Sequence, residues 1–379
     1  MHIAVFVGTR PEGVKMAPVV QALRQASGVR CTLVSTGQHQ EMLQRALADF
    51  NLEADIDLAV MQPNQTLASL SSRLFARVDE TLETLRPDWV LVQGDTTTVM
   101  VAALAAFYRR IPVGHVEAGL RSHDMYAPFP EELNRRVAGL VTELHFAPTQ
   151  GAADHLLQER VKPEHILVTG NTGIDALLQT AASVRATPPQ MAAEIARFLE
   201  KHPKFILITG HRRENFGEGF DSICRAITRL ADAFPDVGFL YPVHLNPRVR
   251  GPVFEIIQGR DNVLLTDPQE YRGFIHLMDR AHLLLSDSGG VQEEAPSLGK
   301  PVLVMRDVTE RPEGITAGCA ELVGSSAERI YERVTALLTD ADLYNRMARA
   351  QNPYGDGQAS QRIVKALTGR MSASAEAAE

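Results

Sequence analysis

The stretch Leu283–Arg311, LLLSDSGGVQEEAPSLGKPVLVMRDVTER, constrains the fold of this chain most tightly. It starts as a short buried-strand pattern, Leu283-Leu284-Leu285, and breaks at Ser286-Asp287-Ser288-Gly289-Gly290. It resumes as a helix carrying Glu293 and Glu294, turns at Gly299-Lys300-Pro301 and returns as a second strand, Val302 to Met305. Strand, glycine-rich turn, helix, strand is the repeating unit of a parallel α/β layer. At such a turn a phosphate reaches bare backbone N–H groups and the positive end of a helix. Glu294 falls about two turns further along the same helix, a reach that suits a sugar diol. The stretch reads as one half of a nucleotide-sugar clamp, and the rest of the chain either builds its scaffold or supplies the other half.

A chain of 379 residues is long for one core, so two domains are expected. The alternation of strands and helices runs through it twice. Ile3 to Val7, Thr32 to Ser35, Trp89 to Gln93, Pro112 to Val116, Leu144 to Ala147 and Ile166 to Thr169 read as strands, with helices between them, among them Leu67 to Leu85 and one opening at Glu131. These strands are continuous apolar runs rather than alternating ones, the signature of a parallel sheet covered on both faces. Thr187-Pro188-Pro189 interrupts the pattern, and a linker is expected at residues 180–190. The alternation then restarts with strands at Phe205 to Thr209, Phe239 to Val243 and Val263 to Thr266, ahead of the opening stretch. The expected organisation is two doubly wound, Rossmann-like domains, residues 1–180 and 190–355, facing a central cleft. A C-terminal helix over 356–370 is expected to pack back on the first domain, and residues 371–379 to fray.

Composition removes several function classes. Net charge is −8, and no basic run or basic–aromatic interleaving is present, which argues against a nucleic-acid surface. No apolar run approaches the roughly 20 residues of a membrane helix, and the N-terminus lacks the basic start of a signal peptide. Cys31, Cys224 and Cys319 are scattered, which disfavours disulfides and thiolate zinc sites and fits the cytoplasm. Neither a G-x-G-x-x-G nor a G-x-x-x-x-G-K-[ST] fingerprint occurs, so nicotinamide and P-loop chemistry are disfavoured. No cofactor and no metal is expected.

The polar punctuation gathers at strand ends, where parallel sheets bind ligands. Arg10 and Lys15, after Gly8-Thr9, put two cations beside a helix start; they suit a diphosphate, or a solvated helix with Glu12 serving the dipole. Asp95 follows Gly94, either as a functional carboxylate or as the cap of the helix that Thr96 begins. Glu117, in His115-Val116-Glu117-Ala118-Gly119, is a poorer cap candidate. Glu131 and Glu132, after Pro128-Phe129-Pro130, suit a helix dipole whatever the function. His211, in Gly210-His211-Arg212-Arg213-Glu214-Asn215, ends the first strand of the second domain among charged neighbours, as a phosphate or acid–base group would. His244, in Tyr241-Pro242-Val243-His244, occupies a similar place.

Taken in order, GTRPE-x-x-KM-P, Q-H-x-E-M, GDT, HVEAGLR, PFPEE-x-N-R, GHRREN-x-G, YPVH-x-NP, SDSGG-x-QEEAPSLGKPVLV-x-R and TERPE resemble the non-hydrolysing UDP-N-acetylglucosamine 2-epimerases of bacteria. The resemblance runs from Gly8 to about Asp356; Gly13-Val14, where Ala-Ile is commoner, is a bland departure. It implies the GT-B fold, a homodimer, and interconversion of UDP-GlcNAc and UDP-ManNAc for cell-surface polysaccharide without nicotinamide or an obligatory metal. By matched position, Asp95, Glu117, Glu131 and His211 would be catalytic, and Arg10, Lys15 and His211 would contact the diphosphate. Gln269 and Phe274 would frame the uracil, Ser288, Gly289 and Gly290 would hold phosphate, Glu294 would hold the ribose and Arg311 would support the nucleotide. Gln38, Glu41, Arg212 and His244 would serve a second UDP-GlcNAc bound as activator.

The hydrogen at sugar C2 has no adjacent carbonyl, so the expected route is loss of UDP from C1, a glycal-like intermediate, and reprotonation from the other face. Rival readings are a 2-epimerase of a UDP-diacetamido or uronic-acid sugar, a hydrolysing epimerase, a GT-B glycosyltransferase and a non-catalytic nucleotide-sugar sensor.

Overall fold

The structure is a computed structural model that describes residues 1–37, 40–212, 215–257 and 259–376. It divides into two units, Met1–Ala176 with Gly355–Glu379, and Leu177–Tyr354. The first contains β1 (His2–Val7), α1 (Arg10–Gln25), β2 (Arg30–Ser35), α2 (Gln40–Ala48), β3 (Ile56–Asp57), α3 (Leu67–Leu85), β4 (Trp89–Gln93), α4 (Thr97–Tyr108), β5 (Val113–Val116), α5 (Glu131–Val141), β6 (Leu144–Ala147), α6 (Gln150–Gln158), β7 (Ile166–Val168) and the start of α7 (Thr172–Ala186). The second continues with α8 (Ala193–Lys201), β8 (Phe205–Thr209), α9 (Glu218–Ala233), β9 (Gly238–Pro242), α10 (Pro247–Ile257), β10 (Val263–Thr266), α11 (Tyr271–Arg280), β11 (Leu283–Ser286), α12 (Gly289–Glu294), β12 (Val302–Val304), α13 (Pro312–Thr316), β13 (Ala320–Leu322), α14 (Ala327–Thr339) and α15 (Ala341–Ala348). The chain then returns to the first unit as α16 (Ala359–Glu376).

The first unit holds a seven-stranded parallel sheet in the order β3-β2-β1-β4-β5-β6-β7. Its central strands are buried along nearly their whole length, as their unbroken Val, Ile, Leu and Phe runs require. The second holds a six-stranded parallel sheet in the order β10-β9-β8-β11-β12-β13. Ile206, Ile208, Leu283 and Leu285 face one layer of its core, and Leu207, Leu284, Val302 and Val304 the other. That is the period-two alternation of strands sandwiched between helices.

Three features depart from expectation. The division between units falls within α7, between Ala176 and Leu177, and not at residues 180–190. Leu177, Ala181 and Val184 join the apolar cluster of Ile195, Phe198 and Leu199, so the helix runs straight past the boundary. α16 continues to Glu376, past Met371 where fraying is expected, and residues 377–379 of that tail lie outside the described residues. The two-residue β3 and three-residue β13 were not anticipated, being too short to show a pattern.

The C-terminal helix packs on α1 and is anchored by one buried carboxylate. Asp175 accepts from Ser360 N at 2.8 Å, Ser360 Oγ at 2.6 Å and Ala359 N at 3.2 Å, capping α16 from a distant part of the chain.

Gly119, beyond β5, has φ +89°, and a Cβ there would lie 2.2 Å from the Ala152 carbonyl oxygen of α6. Backbone cannot yield as a side chain can. Gly119→Ala is expected to destabilise the protein by about 3 kcal/mol or more, read by urea unfolding. A change within about 0.5 kcal/mol, the range of an ordinary surface substitution, would refute this account.

Candidate functional site

In each sheet the strand order reverses once, between β1 and β4 in the first unit and between β8 and β11 in the second. The connecting helices leave such a pair towards opposite faces, so a crevice opens at the strands' carboxyl ends. Arg10, Lys15 and Asp95 follow the strands of the first pair, and His211, Ser288, Gly289 and Gly290 those of the second; the other candidates lie on neighbouring strand ends and helices.

In the first unit, β1 ends at Gly8-Thr9 and α1 begins with Arg10, which is exposed. Glu12 closes a capping box with Thr9, yet it is only 2% exposed and does more than cap. Its Oε2 accepts from Thr9 Oγ1 at 2.7 Å, Thr9 N at 2.8 Å and Gly8 N at 3.2 Å, and its Oε1 accepts from Thr96 Oγ1 at 2.9 Å. One carboxyl group thus ties the turn after β1 to the turn after β4. Burial pushes its pKa up to about 7, against the opposing pull of these hydrogen bonds.

Asp95 does not cap α4. Thr96 does, its hydroxyl accepting from Val99 N at 3.4 Å. The Asp95 carboxylate instead pairs with Arg135 at 2.7 Å, and its carbonyl accepts from Asn134 Nδ2 at 3.0 Å. Burial raises the Asp95 pKa; Arg135 opposes this, Glu117 adds to it, and Glu131 acts in the same sense more weakly. Glu117 accepts from Lys15 Nζ at 2.5 Å and from Gln93 Nε2 at 2.6 Å. Its φ of +62° is unusual for a residue with a side chain. Two strands' ends and the first turns of α1 and α5 therefore bring Lys15, Gln93, Asp95, Glu117, Glu131 and Arg135 into one electrostatic group. Beneath it His115 is buried, and burial lowers its pKa to about 4. It faces the Gly94 carbonyl at 2.7 Å, which can only accept, so Nε2 carries the proton.

In the second unit, Asp287 ends β11 fully buried. It accepts from Arg212 N at 2.8 Å, His211 N at 2.9 Å and Asn215 Nδ2 at 3.4 Å. His211 Nδ1 lies 3.6 Å from the same carboxylate, and the His211 and His244 rings stack 5.5 Å apart. Ser288 precedes α12 without capping it through its side chain, and its N–H donates to Ser286 Oγ at 3.0 Å. A Cβ on Gly289 would meet the Arg311 guanidinium at 2.6 Å, while one on Gly290 would meet only the Ser288 hydroxyl at 4.0 Å, an ordinary contact. Arg311 is held by Glu293 at 2.5 Å. Glu294 ends α12 five residues beyond Gly289, about one and a half turns of helix rather than two, and the chain then passes into a 3₁₀ turn at Ala295–Leu298. Phe274 packs partly buried beside the core, and Gln269 donates to the Asp267 carbonyl at 2.7 Å.

Sequence reasoning missed Gln93, Arg135 and Asp287 as parts of these groups. Asp287 stood inside a quoted motif, but nothing in the sequence announces that a turn aspartate will be buried. Of the residues expected to serve an activator, Glu41 is exposed in the first turn of α2, and Arg212 and His244 adjoin His211. Gln38 lies outside the described residues. A separate cavity of about 640 Å³ in the second unit, lined by Glu218, Arg225, Arg306, Asp307 and Ser326 among others, includes none of the candidate residues. Among the described residues no cluster of His, Cys, Asp and Glu suits a metal ion, and no helix is long and apolar enough to cross a membrane.

Two parallel α/β units with polar groups at the strand-order reversals define a GT-B-type protein. A glycosyltransferase of kitacinnamycin shares this fold, with a TM-score of 0.63 at 13% identity over 97% of this chain and 98% of that one. A family model described as UDP-N-acetylglucosamine 2-epimerase matches residues 21–368, and the chain belongs to that family of isomerases. A UDP-N-acetylglucosamine 2-epimerase of Yersinia pestis is 52% identical over 369 residues, 97% of this chain and 98% of the relative. The crystal structure of a UDP-GlcNAc 2-epimerase from Neisseria meningitidis bound to UDP-GlcNAc has a TM-score of 0.84 at 46% identity, covering 97% of this chain and all of that one.

The raised Glu12 pKa has a signed consequence. The folded state keeps a proton on Glu12 that the unfolded state releases from about pH 4.5, so stability falls as pH rises from there to about 7. Relative to Glu12→Gln, the wild type is expected to lose on the order of 3 kcal/mol across that window. Urea unfolding of both proteins from pH 4 to 8 measures the difference; parallel curves would refute the assignment.

Proposed function

We propose that this chain interconverts UDP-GlcNAc and UDP-ManNAc by eliminating and re-adding UDP. A base removes the C2 proton, the C–H electron pair forms the C1=C2 bond, and the C1–O bond breaks with its electrons leaving on UDP. A proton then adds to C2 from the opposite face as a UDP oxygen returns to C1. The observation that carries this reading is the cluster of Asp95, Glu117 and Glu131 at the β1/β4 reversal, in a chain of this family. Acid–base chemistry on two faces needs at least two titratable groups in different environments. Here burial with an arginine partner holds Asp95, while lysine and amide donors hold Glu117.

The other roles rest on matched position in the family. Arg10, Lys15 and His211 contact the diphosphate, with His211 also serving acid–base chemistry. Ser288, Gly289 and Gly290 hold phosphate at the start of α12, beside Arg311. Glu294 takes the ribose, and Gln269 and Phe274 frame the uracil. Glu41, Arg212 and His244 serve an activating second UDP-GlcNAc. The product supplies cell-surface polysaccharide from the cytoplasm, which the free thiols of Cys31, Cys224 and Cys319 suit. The chain works as a homodimer; Tyr108 and Leu140, 71% and 85% exposed on α4 and α5, are apolar surface that a second copy would cover.

The reading is tested by incubating the enzyme with UDP-GlcNAc in heavy water without any sugar acceptor. Deuterium is expected at C2 of both epimers by NMR. Asp95→Asn and Glu117→Gln are each expected to slow exchange about 100-fold or more. Absence of exchange, or full exchange in both variants, would overturn the proposal.

The dimer is tested separately. Leu140→Asp is expected to shift the sedimentation coefficient from dimer towards monomer, because an unpaired carboxylate would be buried. A wild-type monomer, or a variant that stays fully dimeric, would exclude this surface.

A further inference from the structure

We propose that Asp287 is the positioning residue for His211, holding the imidazole at the end of β8 with one proton fixed on Nδ1 and leaving Nε2 as the nitrogen that gains a proton, donates it to the sugar nucleotide and releases it again. This rests on the role given to His211 above and adds to it a definite tautomer and the group that sets it.

The argument starts from the burial of Asp287. A carboxylate with no solvent exposure persists only where donors satisfy its oxygens. Asp287 Oδ2 takes the backbone N–H of His211 at 2.9 Å and of Arg212 at 2.8 Å, and Oδ1 accepts the His211 N–H as well, at 3.1 Å. Asn215 Nδ2 adds a longer bond at 3.4 Å and also donates to the Met305 carbonyl at 3.1 Å. On the β8 side, Tyr241 Oη donates to the Gly210 carbonyl at 3.0 Å. Backbone at residues 210–212 is therefore held from both ends, which fixes where the His211 side chain starts.

The ring itself faces the same carboxylate. Nδ1 is 3.6 Å from Oδ1, beyond a hydrogen bond but close enough for a strong charge–dipole preference. An ionised carboxylate only accepts, so the favoured neutral ring carries its hydrogen on Nδ1. The ring also stacks on His244 with an interplanar angle of 19°. His244 Nδ1 accepts from Asn246 N at 3.1 Å, which keeps its own proton on Nε2. Among the described residues the charged or titratable groups acting on His211 are Asp287, His244 and Arg212. Burial, His244 and Arg212 favour the neutral ring, and Asp287 alone favours the cation. An aspartate that served only to shape the loop would need the backbone bonds but not the ring contact.

The test uses full-length protein with ¹⁵N-labelled histidine, the His211 signals being assigned by their loss in His211→Asn. The wild-type neutral ring is expected to be the Nδ1–H tautomer. In Asp287→Asn, one carbonyl oxygen still accepts the backbone N–H groups, but the charge facing the ring is gone. The His211 titration is expected to move to lower pH, and kcat to fall roughly tenfold while KM for UDP-GlcNAc changes by less than about threefold. A dominant Nε2–H tautomer in the wild type overturns the proposal, whether or not the variant folds. So does an Asp287→Asn protein with unchanged tautomer, titration and kcat. Wild-type kcat in His211→Asn would instead overturn the acid–base role of His211, and the tautomer measurement, made on the protein alone, keeps the two failures apart.

Discussion

Reversal of strand order in a parallel sheet leaves one place where no helix crosses the strand ends, and both units of this chain gather their chemistry there. The consequence is geometric before it is chemical. Residues that follow β1 and β4, or β8 and β11, become neighbours although some 80 positions separate them in sequence. Everything polar at these ends then needs partners, because the strands beneath are buried. The molecule meets that need with carboxylates that bridge one turn to the next. Glu12 bridges the turns after β1 and β4, and Asp287 bridges those after β11 and β8.

These two bridging carboxylates show why part of the site was legible in sequence and part was not. Strands such as Trp89–Gln93 and Phe205–Thr209 announce themselves as apolar runs bounded by glycine or charge, and α3 begins and ends where its periodicity does. The residues Asp95, Glu117, Glu131 and His211 stand out because they follow such runs directly. Glu12 does not stand out, since a glutamate three residues after a threonine is an ordinary capping box. Its second oxygen is taken by Thr96, at the start of α4 and 84 residues away. The same holds for Arg135, whose partner Asp95 lies 40 positions earlier. The unit boundary escaped for a different reason: Pro188-Pro189 is a strong local break, but the apolar face of α7 is continuous across the true division.

Glu117 is held in an expensive conformation, and its surroundings say what for. Its positive φ turns the chain sharply just beyond β5, and Gly119 turns it again two residues later. That geometry sends the carboxylate back over β4 to reach Gln93, and across to Lys15 on α1. The Lys15 contact also joins one group assigned to the diphosphate with one assigned to proton transfer, so charge arriving at Lys15 alters the field at Glu117 directly.

The two units carry unlike groups, and the proposed elimination route accounts for the difference. Proton transfer needs groups whose charge can change, and the β1/β4 reversal supplies carboxyls with a cation beside each of two of them. Holding a leaving nucleotide needs donors whose charge does not change while the bond to the sugar is broken. The β8/β11 reversal supplies backbone N–H groups at the start of α12 and a guanidinium locked by Glu293, none of which titrates in the working range. His211 is the exception there, a titratable ring among fixed donors. The buried Asp287 carboxylate lies 3.6 Å from its Nδ1, and the His244 ring stacks 5.5 Å away.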